Sequence, residues 1–307
     1  MKKKIRAIVL FSGGLDSTLA VKVLEKQNIE VLALSFVSHF FDDQKAKESA
    51  QKNEINLRSM DFSDMHAEVV KKPKRGYGGA MNPCIDCHLL MIQEAARIME
   101  EESFDFVATG EILGQRPMSQ NLNALQLIEK ESGIAGRLLR PLSARLLEET
   151  QVEKNGWVDR RKLLDLSGRS RKRHFDLSKE FQINHYPTPG GGCRLTEAEF
   201  GKKLKKLLEK VENPTKSDYG LLRAGRNIWI DSVHIVIGKN DQENEKLKEM
   251  QEKGDIIIEM EDFMGPIAFL RGKIADSTLE EAKKITASYS KHTKDLDYKK
   301  INFNIKR

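Results

Sequence analysis

The chain has 307 residues, enough for two domains, and is 39% hydrophobic and 32% charged. No apolar run approaches the ~18 residues of a membrane span, and the stretch after Met1-Lys2-Lys3-Lys4 is broken too early for a secretion signal, so a cytoplasmic protein is expected. The 52 Lys and Arg exceed the 46 Asp and Glu, a net charge of +6 that suits a polyanion partner, and 3 cysteines are too few for a disulfide framework.

Residues 5–10 predict a buried strand, and Phe11-Ser12-Gly13-Gly14-Leu15-Asp16-Ser17 follows as a glycine turn opening a helix with Leu19, Val23 and Leu24 on its apolar face. Two glycines let the backbone approach an anion closely. The unpaired first amides of the helix, with its dipole, attract phosphate. A Walker loop is excluded because the G-x-x-x-x-G-K-S/T lysine is missing. Asp16 would repel bare phosphate and is therefore expected to bind Mg2+ or to orient the loop.

Residues 30–36 form a second continuous apolar run, 46–53 a charged helix and 57–61 a weak third strand. This alternation predicts an α/β fold, a doubly wound parallel sheet with ligands at the carboxyl ends of its strands. Ser35 and Phe36 are then expected to border an adenine, and Thr109 and Gly110, ending a strand at 104–111, to contact the nucleotide. Between these lie a basic loop at 71–83 and an amphipathic helix at 89–101. Further on, 123–130 predicts a helix, 138–142 a buried strand ending at Pro141, and 158–166 a polar helical stretch. Arg116 and Arg140 are candidates to neutralise charge on a transferred phosphoryl group.

Arg160, Arg161, Lys162, Arg169, Arg171, Lys172, Arg173 and His174 make residues 160–174 the densest basic cluster, with Asp165 as the opposing charge. A charge run often is only a solvated face. Here its density favours a phosphate backbone, with Arg160, Arg161, Arg169, Arg171, Lys172 and Arg173 as the nucleic-acid contacts. Residues 185–193 are an irregular glycine-rich loop, after which Thr196 and Glu199 read as a capping box. The next helix carries Phe200, Leu204 and Leu207 on one face. From about Asn213 the character shifts to short β-rich runs at 227–230, 233–238, 255–259 and 267–270, with helices at 241–252 and 279–288 and a basic tail. Two domains are expected: 1–212, and a smaller α+β domain at 213–307.

The cysteines leave three readings open. Asn82-Pro83-Cys84-Ile85-Asp86-Cys87-His88 is a C-x-x-C leading into a helix, and Cys193 lies far away on the glycine-rich loop. A thioredoxin-type pair uses two thiols and leaves Cys193 idle. Structural zinc requires a fourth ligand such as His88 or His185. Three thiolates can hold a 4Fe-4S cluster with one iron open. The loop S-G-G-x-D-S resembles that of ATP pyrophosphatases, which implies adenylylation of an oxygen; a nucleophile must then displace AMP, and sulfur is one, which favours the last reading.

These motifs resemble those of tRNA-thiolating pyrophosphate-loop (PP-loop) enzymes. Phe11-Ser12-Gly13-Gly14-Leu15-Asp16-Ser17 is similar to F-S-G-G-V-D-S of the tRNA 2-thiouridylases, 82–87 to their N-P-D-x-x-C, and Ala108-Thr109-Gly110-Glu111 to their A-T-G-H. Glu111 replaces a His, and Cys84 replaces an Asp, which turns two cysteines into three and brings the chain nearer the iron–sulfur-dependent tRNA 4-thiouridine synthetases. The resemblance implies an adenine nucleotide α-hydrolase-like PP-loop domain that binds ATP at Phe11, Ser12, Gly13, Gly14, Asp16, Ser17, Ser35, Phe36, Thr109, Gly110 and Arg116. It implies ATP, Mg2+ and a 4Fe-4S cluster on Cys84, Cys87 and Cys193 as cofactors, with these cysteines and Asp16 catalytic. The activity implied is a tRNA sulfurtransferase forming AMP and pyrophosphate, leaning to 4-thiouridine. The alternatives are persulfide chemistry at Cys87 and Cys193 in a 2-thiouridylase, a non-thiolating PP-loop ligase, and a zinc-stabilised RNA-binding protein. Partners implied are tRNA and a sulfur donor, either sulfide or a cysteine desulfurase, with a homodimer allowed and no membrane. Leu221-Leu222-Arg223-Ala224-Gly225-Arg226 and Gly265-Pro266 resemble the RNA-binding module of NFACT-type proteins.

Overall fold

The structure is a computed structural model that describes residues 4–187 and 193–307, and the chain divides into two compact units, the second starting at Glu197. The first unit runs β1 (Arg6–Leu10), α1 (Leu15–Glu25), β2 (Glu30–Val37), α2 (Gln44–Lys52), β3 (Leu57–Asp61), α3 (Ser63–Lys71), α4 (Cys84–Glu101), β4 (Phe106–Thr109), α5 (Leu122–Glu131), β5 (Leu138–Leu139), α6 (Gln151–Lys154) and α7 (Lys172–Glu180). Its five strands are all parallel, in the order β3-β2-β1-β4-β5.

Alternate side chains of each strand point to opposite faces. Ala7, Val9, Ala33 and Ala108 pack with Leu19 and Val23 of α1, whereas Ile8, Leu34, Phe36 and Val107 pack with Ile92 and Met99 of α4 and Ile128 of α5. Both faces are covered, which is why the strands read as continuous apolar runs. The order of connection reverses between β1 and β4, so the crevice above their carboxyl ends is where a ligand fits. The loop at Phe11–Gly14 and the turn at Thr109–Gly110 flank that crevice.

The α7 helix lies along α1, with Lys26 at one end bonding Glu180 at 2.7 Å and stacking on Phe181. At the other end His174 meets Asp16, so the two helices run in the same direction. The helix expected at 158–166 is instead a single 3₁₀ turn at Arg160–Lys162. Asp159 caps it by accepting from Arg161 N, and Leu163 and Leu166 enter the core as extended backbone. The strand expected at 138–142 is only two residues long, because Pro141 cannot continue the ladder.

The second unit comprises α8 (Ala198–Lys210), α9 (Lys216–Leu221), β6 (Arg226–Ile230), β7 (Val233–Ile237), α10 (Asp241–Glu249), β8 (Ile256–Met260), β9 (Ala268–Arg271), α11 (Asp276–Ser288) and β10 (Phe303–Lys306). Its sheet is antiparallel, in the order β10-β8-β9-β7-β6, with the tail strand β10 pairing with β8. The unit begins earlier than the composition change near Asn213. The α8 helix groups with it, and Lys203 Nζ donates to the Leu222 carbonyl at 3.2 Å. Thr196 does not cap α8. Its hydroxyl donates to the Cys193 carbonyl at 2.7 Å inside a 3₁₀ turn, and Glu197 takes the cap position without a side-chain bond. Capping boxes form at Thr150/Glu153 and Thr215/Asp218 instead. Among the described residues, no helix is long and apolar enough to cross a membrane.

Candidate active site

The first turn of α1 is shaped to receive an anion. Gly14 occupies its N-cap without a side-chain cap, and the hydroxyls of Ser17 and Thr18 turn back to the Gly14 carbonyl at 2.9 and 3.1 Å. The helix-opening amides are therefore left to a ligand rather than to neighbouring hydroxyls. Gly13 has φ +77°, and a Cβ there would stand 2.4 Å from the Lys45 carbonyl oxygen. A Cβ on Gly110 would lie 2.8 Å from Ser17 N, so the turn after β4 rests directly on the loop. Ser12 is exposed and Ser17 buried, their hydroxyls 3.5 Å apart.

Asp16 is surrounded by three groups that no local pattern links to it. Gln115 Nε2 donates to its Oδ2 at 3.1 Å, Arg171 lies 3.6 Å from the same oxygen, and His174 Nε2 lies 3.4 Å from Oδ1. Burial lowers the His174 pKa and the Asp16 charge opposes that shift; Arg171 and Arg173 add to it. Arg171, expected on nucleic acid, thus stands at the nucleotide loop. The remaining basic cluster is not one free cationic face. Arg160 pairs with Glu153, Arg161 with Asp159 at 3.0 Å and Arg173 with Asp165 at 2.7 Å, while Arg169 and Lys172 stand exposed. Ser35 is buried, and the Phe36 ring packs 4.8 Å from Phe62 in the core on the α4 side.

The thiols sit at the far side of the same crevice. Cys84 and Cys87 open α4, and Asn82 Nδ2 donates to Cys84 Sγ at 3.2 Å. Asp86, between them, is a lock. Its carboxylate accepts from Arg75 N at 2.8 Å and from the Arg75 guanidinium, which also grips Glu131, so the basic loop is tied to α4 and α5. Burial pushes the Cys87 thiol well up, reinforced by Cys193, Cys84 and Asp86. Cys193 is also pushed up by burial and by Cys84, while the Leu195 and Thr196 amides and the Arg116 charge pull it back. The three thiols are therefore within electrostatic reach of one another, and Cys193 also feels the Arg116 charge. Among the described residues, no group of three or more His, Cys, Asp or Glu is disposed to hold a metal ion. Thr188, Pro189, Gly190, Gly191 and Gly192 of the glycine-rich loop lie outside the described residues.

Residues 109–116 connect the two halves of the site. Glu111, 5% exposed, accepts from Thr109 Oγ1 at 3.0 Å and Arg140 Nε at 3.1 Å, and bonds His88 Nδ1 at 2.8 Å. Burial alone would raise its carboxyl, but the His88 hydrogen bond and the Arg140 charge outweigh that and hold it down to about 2. Arg140, expected to meet a phosphoryl group, is 3% exposed and fully engaged by Glu111, Glu129 and the Leu125 carbonyl. It is a framework residue. Gly110 thus touches the phosphate loop, Glu111 holds the residue after Cys87, and Gln115 bonds Asp16.

A parallel sheet with a helix-opening S-G-G-x-D-S loop at its switch point defines a PP-loop fold. Residues 3–149 match the family described as thiamine biosynthesis protein (ThiI), and residues 225–307 match the NFACT protein RNA binding domain. The first unit is thus similar to a ThiI-type PP-loop domain over most of its length, and the second to the NFACT-type module. A probable tRNA sulfurtransferase of Finegoldia magna is 30% identical over 45% of this chain and 36% of its own length. One of a Thermoanaerobacter species is 24% identical over 67% of this chain and 53% of its own length. The chain therefore spans about half or less of these relatives. A 4-thiouridine synthetase solved with RNA and bound ATP aligns over 71% of this chain and 52% of its own, at 20% identity and TM-score 0.44.

Proposed function

We propose that the chain is an ATP-dependent, cytoplasmic tRNA sulfurtransferase that exchanges a uridine carbonyl oxygen for sulfur. One observation carries the reading: a single connector, 109–116, contacts both the phosphate loop at Asp16 and Ser17 and, through Glu111, His88 beside the C-x-x-C thiols. A reaction that activates an oxygen with ATP and then attacks with sulfur requires these two chemistries to be adjacent.

In this reading Ser12, Gly13, Gly14 and the α1 amides hold the pyrophosphate, and Asp16, steadied by Gln115 and Arg171, orients the loop or a Mg2+ ion. The uridine oxygen attacks the α-phosphorus and pyrophosphate leaves. Sulfur at the thiol site then attacks the activated carbon, and AMP departs with the oxygen. Cys87 and Cys193 are raised thiols, so they require positive charge nearby before acting as thiolates. Arg116 supplies part of it. A 4Fe-4S cluster on Cys84, Cys87 and Cys193, when bound, would deprotonate all three thiols and offer an open iron to sulfide. The donor set suits that cluster by chemistry, and persulfide on the same thiols is the competing reading. The product favoured is 4-thiouridine.

The test is anaerobic purification followed by iron and acid-labile sulfide analysis, then incubation with ATP, sulfide and unmodified tRNA and mass spectrometry of nucleosides. ATP-dependent thiouridine that is lost in Cys87→Ala is expected. Pyrophosphate release without any thiouridine, unchanged in Cys84→Ala, would instead indicate a non-thiolating ligase.

A further inference from the structure

The second unit contains a cavity of about 500 Å³ that the thiolation chemistry does not use. That volume is in the usual range for a bound small molecule or single nucleotide. Gly238 forms one wall of it, where a Cβ would collide with Asn244 Oδ1 at 2.0 Å. Asn244 is buried and latches the opposite wall, donating to the Gly265 carbonyl and accepting from Ile267 N, both at 3.2 Å. The cavity is therefore held open by a satisfied polar latch rather than left by poor packing.

Its lining is chosen for charge and for flat surfaces. The Arg226 guanidinium lies over the Tyr289 ring at 4.5 Å, and the ring is 44% exposed. Lys239, Lys291 and His292 stand exposed at the rim, with Asp241 as the acidic lining residue. The α10 helix beside the cavity already has its third amide capped and a carboxylate at its start. Asn240 accepts from Glu243 N at 2.9 Å, and Glu243 in turn accepts from Lys239 N at 3.0 Å. An anion alone would be met by exposed lysine side chains, whereas a stacked guanidinium and ring form a flat platform for a planar group.

Taking the chain as an RNA-directed enzyme, as above, the geometry points to this cavity as a subsite for one unpaired RNA nucleotide. The base stacks on the Arg226–Tyr289 pair, and the backbone phosphate meets Lys239 and Lys291. Single-stranded bases stack on aromatic rings and arginine planes in this way, while a base in a duplex is already stacked on both sides.

The probe is a fluorescein-labelled single-stranded RNA octamer titrated into the full chain and followed by anisotropy. Arg226→Ala and Tyr289→Leu are expected to weaken binding roughly tenfold or more, while Tyr289→Phe, which keeps the ring, stays within about twofold of the parent. Lys291→Ala should flatten the dependence of log affinity on log salt by roughly 0.7, the contribution of one single-strand phosphate. Circular dichroism melts confirm that the variants are folded. Unchanged octamer affinity in folded Arg226→Ala and Tyr289→Leu overturns the subsite. So does equal binding of a duplex of the same sequence, or displacement by inorganic phosphate as effective as by the nucleotide. Thiouridine formation in the parent chain is scored separately: its absence removes the enzyme reading, whereas its presence with unaffected variants removes only this inference.

Discussion

Neutralising Glu111 tests how the two halves of the site are joined. Glu111→Gln keeps the shape, and the amide can still accept from Thr109 and Arg140 and donate to His88. What it removes is the charge. The Glu111 carboxyl is held from an ordinary 4.5 down to about 2, and at 5% exposure solvent screens little of that. A shift of that size corresponds to ~3 kcal/mol of preference for the charged form at neutral pH. That agrees with the ~3–5 kcal/mol cost of removing one partner of a buried ion pair. Glu111→Gln should therefore lose ~3 kcal/mol in urea melts at pH 7, or roughly 6–12 °C in melting temperature. Because the folded-state pKa is depressed, the contribution is complete above the unfolded value near 4.5 and disappears as pH falls towards 2. The gap between parent and variant should accordingly narrow below pH 4.5. Replacing both partners, Glu111→Leu with Arg140→Met, should recover much of the loss, since neither charge is then buried alone. A loss below ~1 kcal/mol, or a gap that widens in acid, would refute the reasoning.

Two further outcomes follow from the geometry. Gly13→Ala sets a Cβ 2.4 Å from the Lys45 carbonyl oxygen at φ +77°, so the loop itself must shift. A displacement of ~1 Å is enough to cost about a hundredfold in kcat/KM; ATP-dependent pyrophosphate release at parental efficiency would contradict it. Acid should weaken both units before the carboxylates titrate. His66, stacked 4.9 Å from Phe62, and His234, stacked 4.4 Å from Trp229, are each lowered from 6.5 to about 4, chiefly by burial. The unfolded chain then binds more protons than the folded one between those values, so stability declines as pH falls from 6.5 to 4, by up to roughly 3 kcal/mol for each histidine. Thermal melts across that interval should slope downward, and a flat profile would count against it.

The order strand, glycine turn, helix was legible because each strand is covered on both faces and so reads as an unbroken apolar run. Gly13 and Gly14 carried their meaning locally, as did the C-x-x-C at the head of α4. The basic cluster was legible as charge but not as a set of ion pairs. Charge counts along the chain cannot see Glu153 or Asp159 folding back on Arg160 and Arg161, nor Asp16 arriving at Arg171 from over a hundred residues away. Thr196 had the right spacing for a cap, yet its hydroxyl is taken by the Cys193 carbonyl.

What the amino-acid sequence by itself determined was the pair of candidate motifs, a helix-opening glycine loop and a C-x-x-C, since both depend on residue types at short spacing. What only the tertiary structure decided was how they meet. Parallel strands carry β1 and β4 to one edge, and the turn after β4 then presses Gly110 on Ser17, ties Glu111 to His88 and hands Gln115 to Asp16. Arg140 could serve phosphate or framework on sequence grounds alone. Burial at 3% beside Glu111 makes it framework, because a guanidinium removed from water must be answered by a fixed counter-charge.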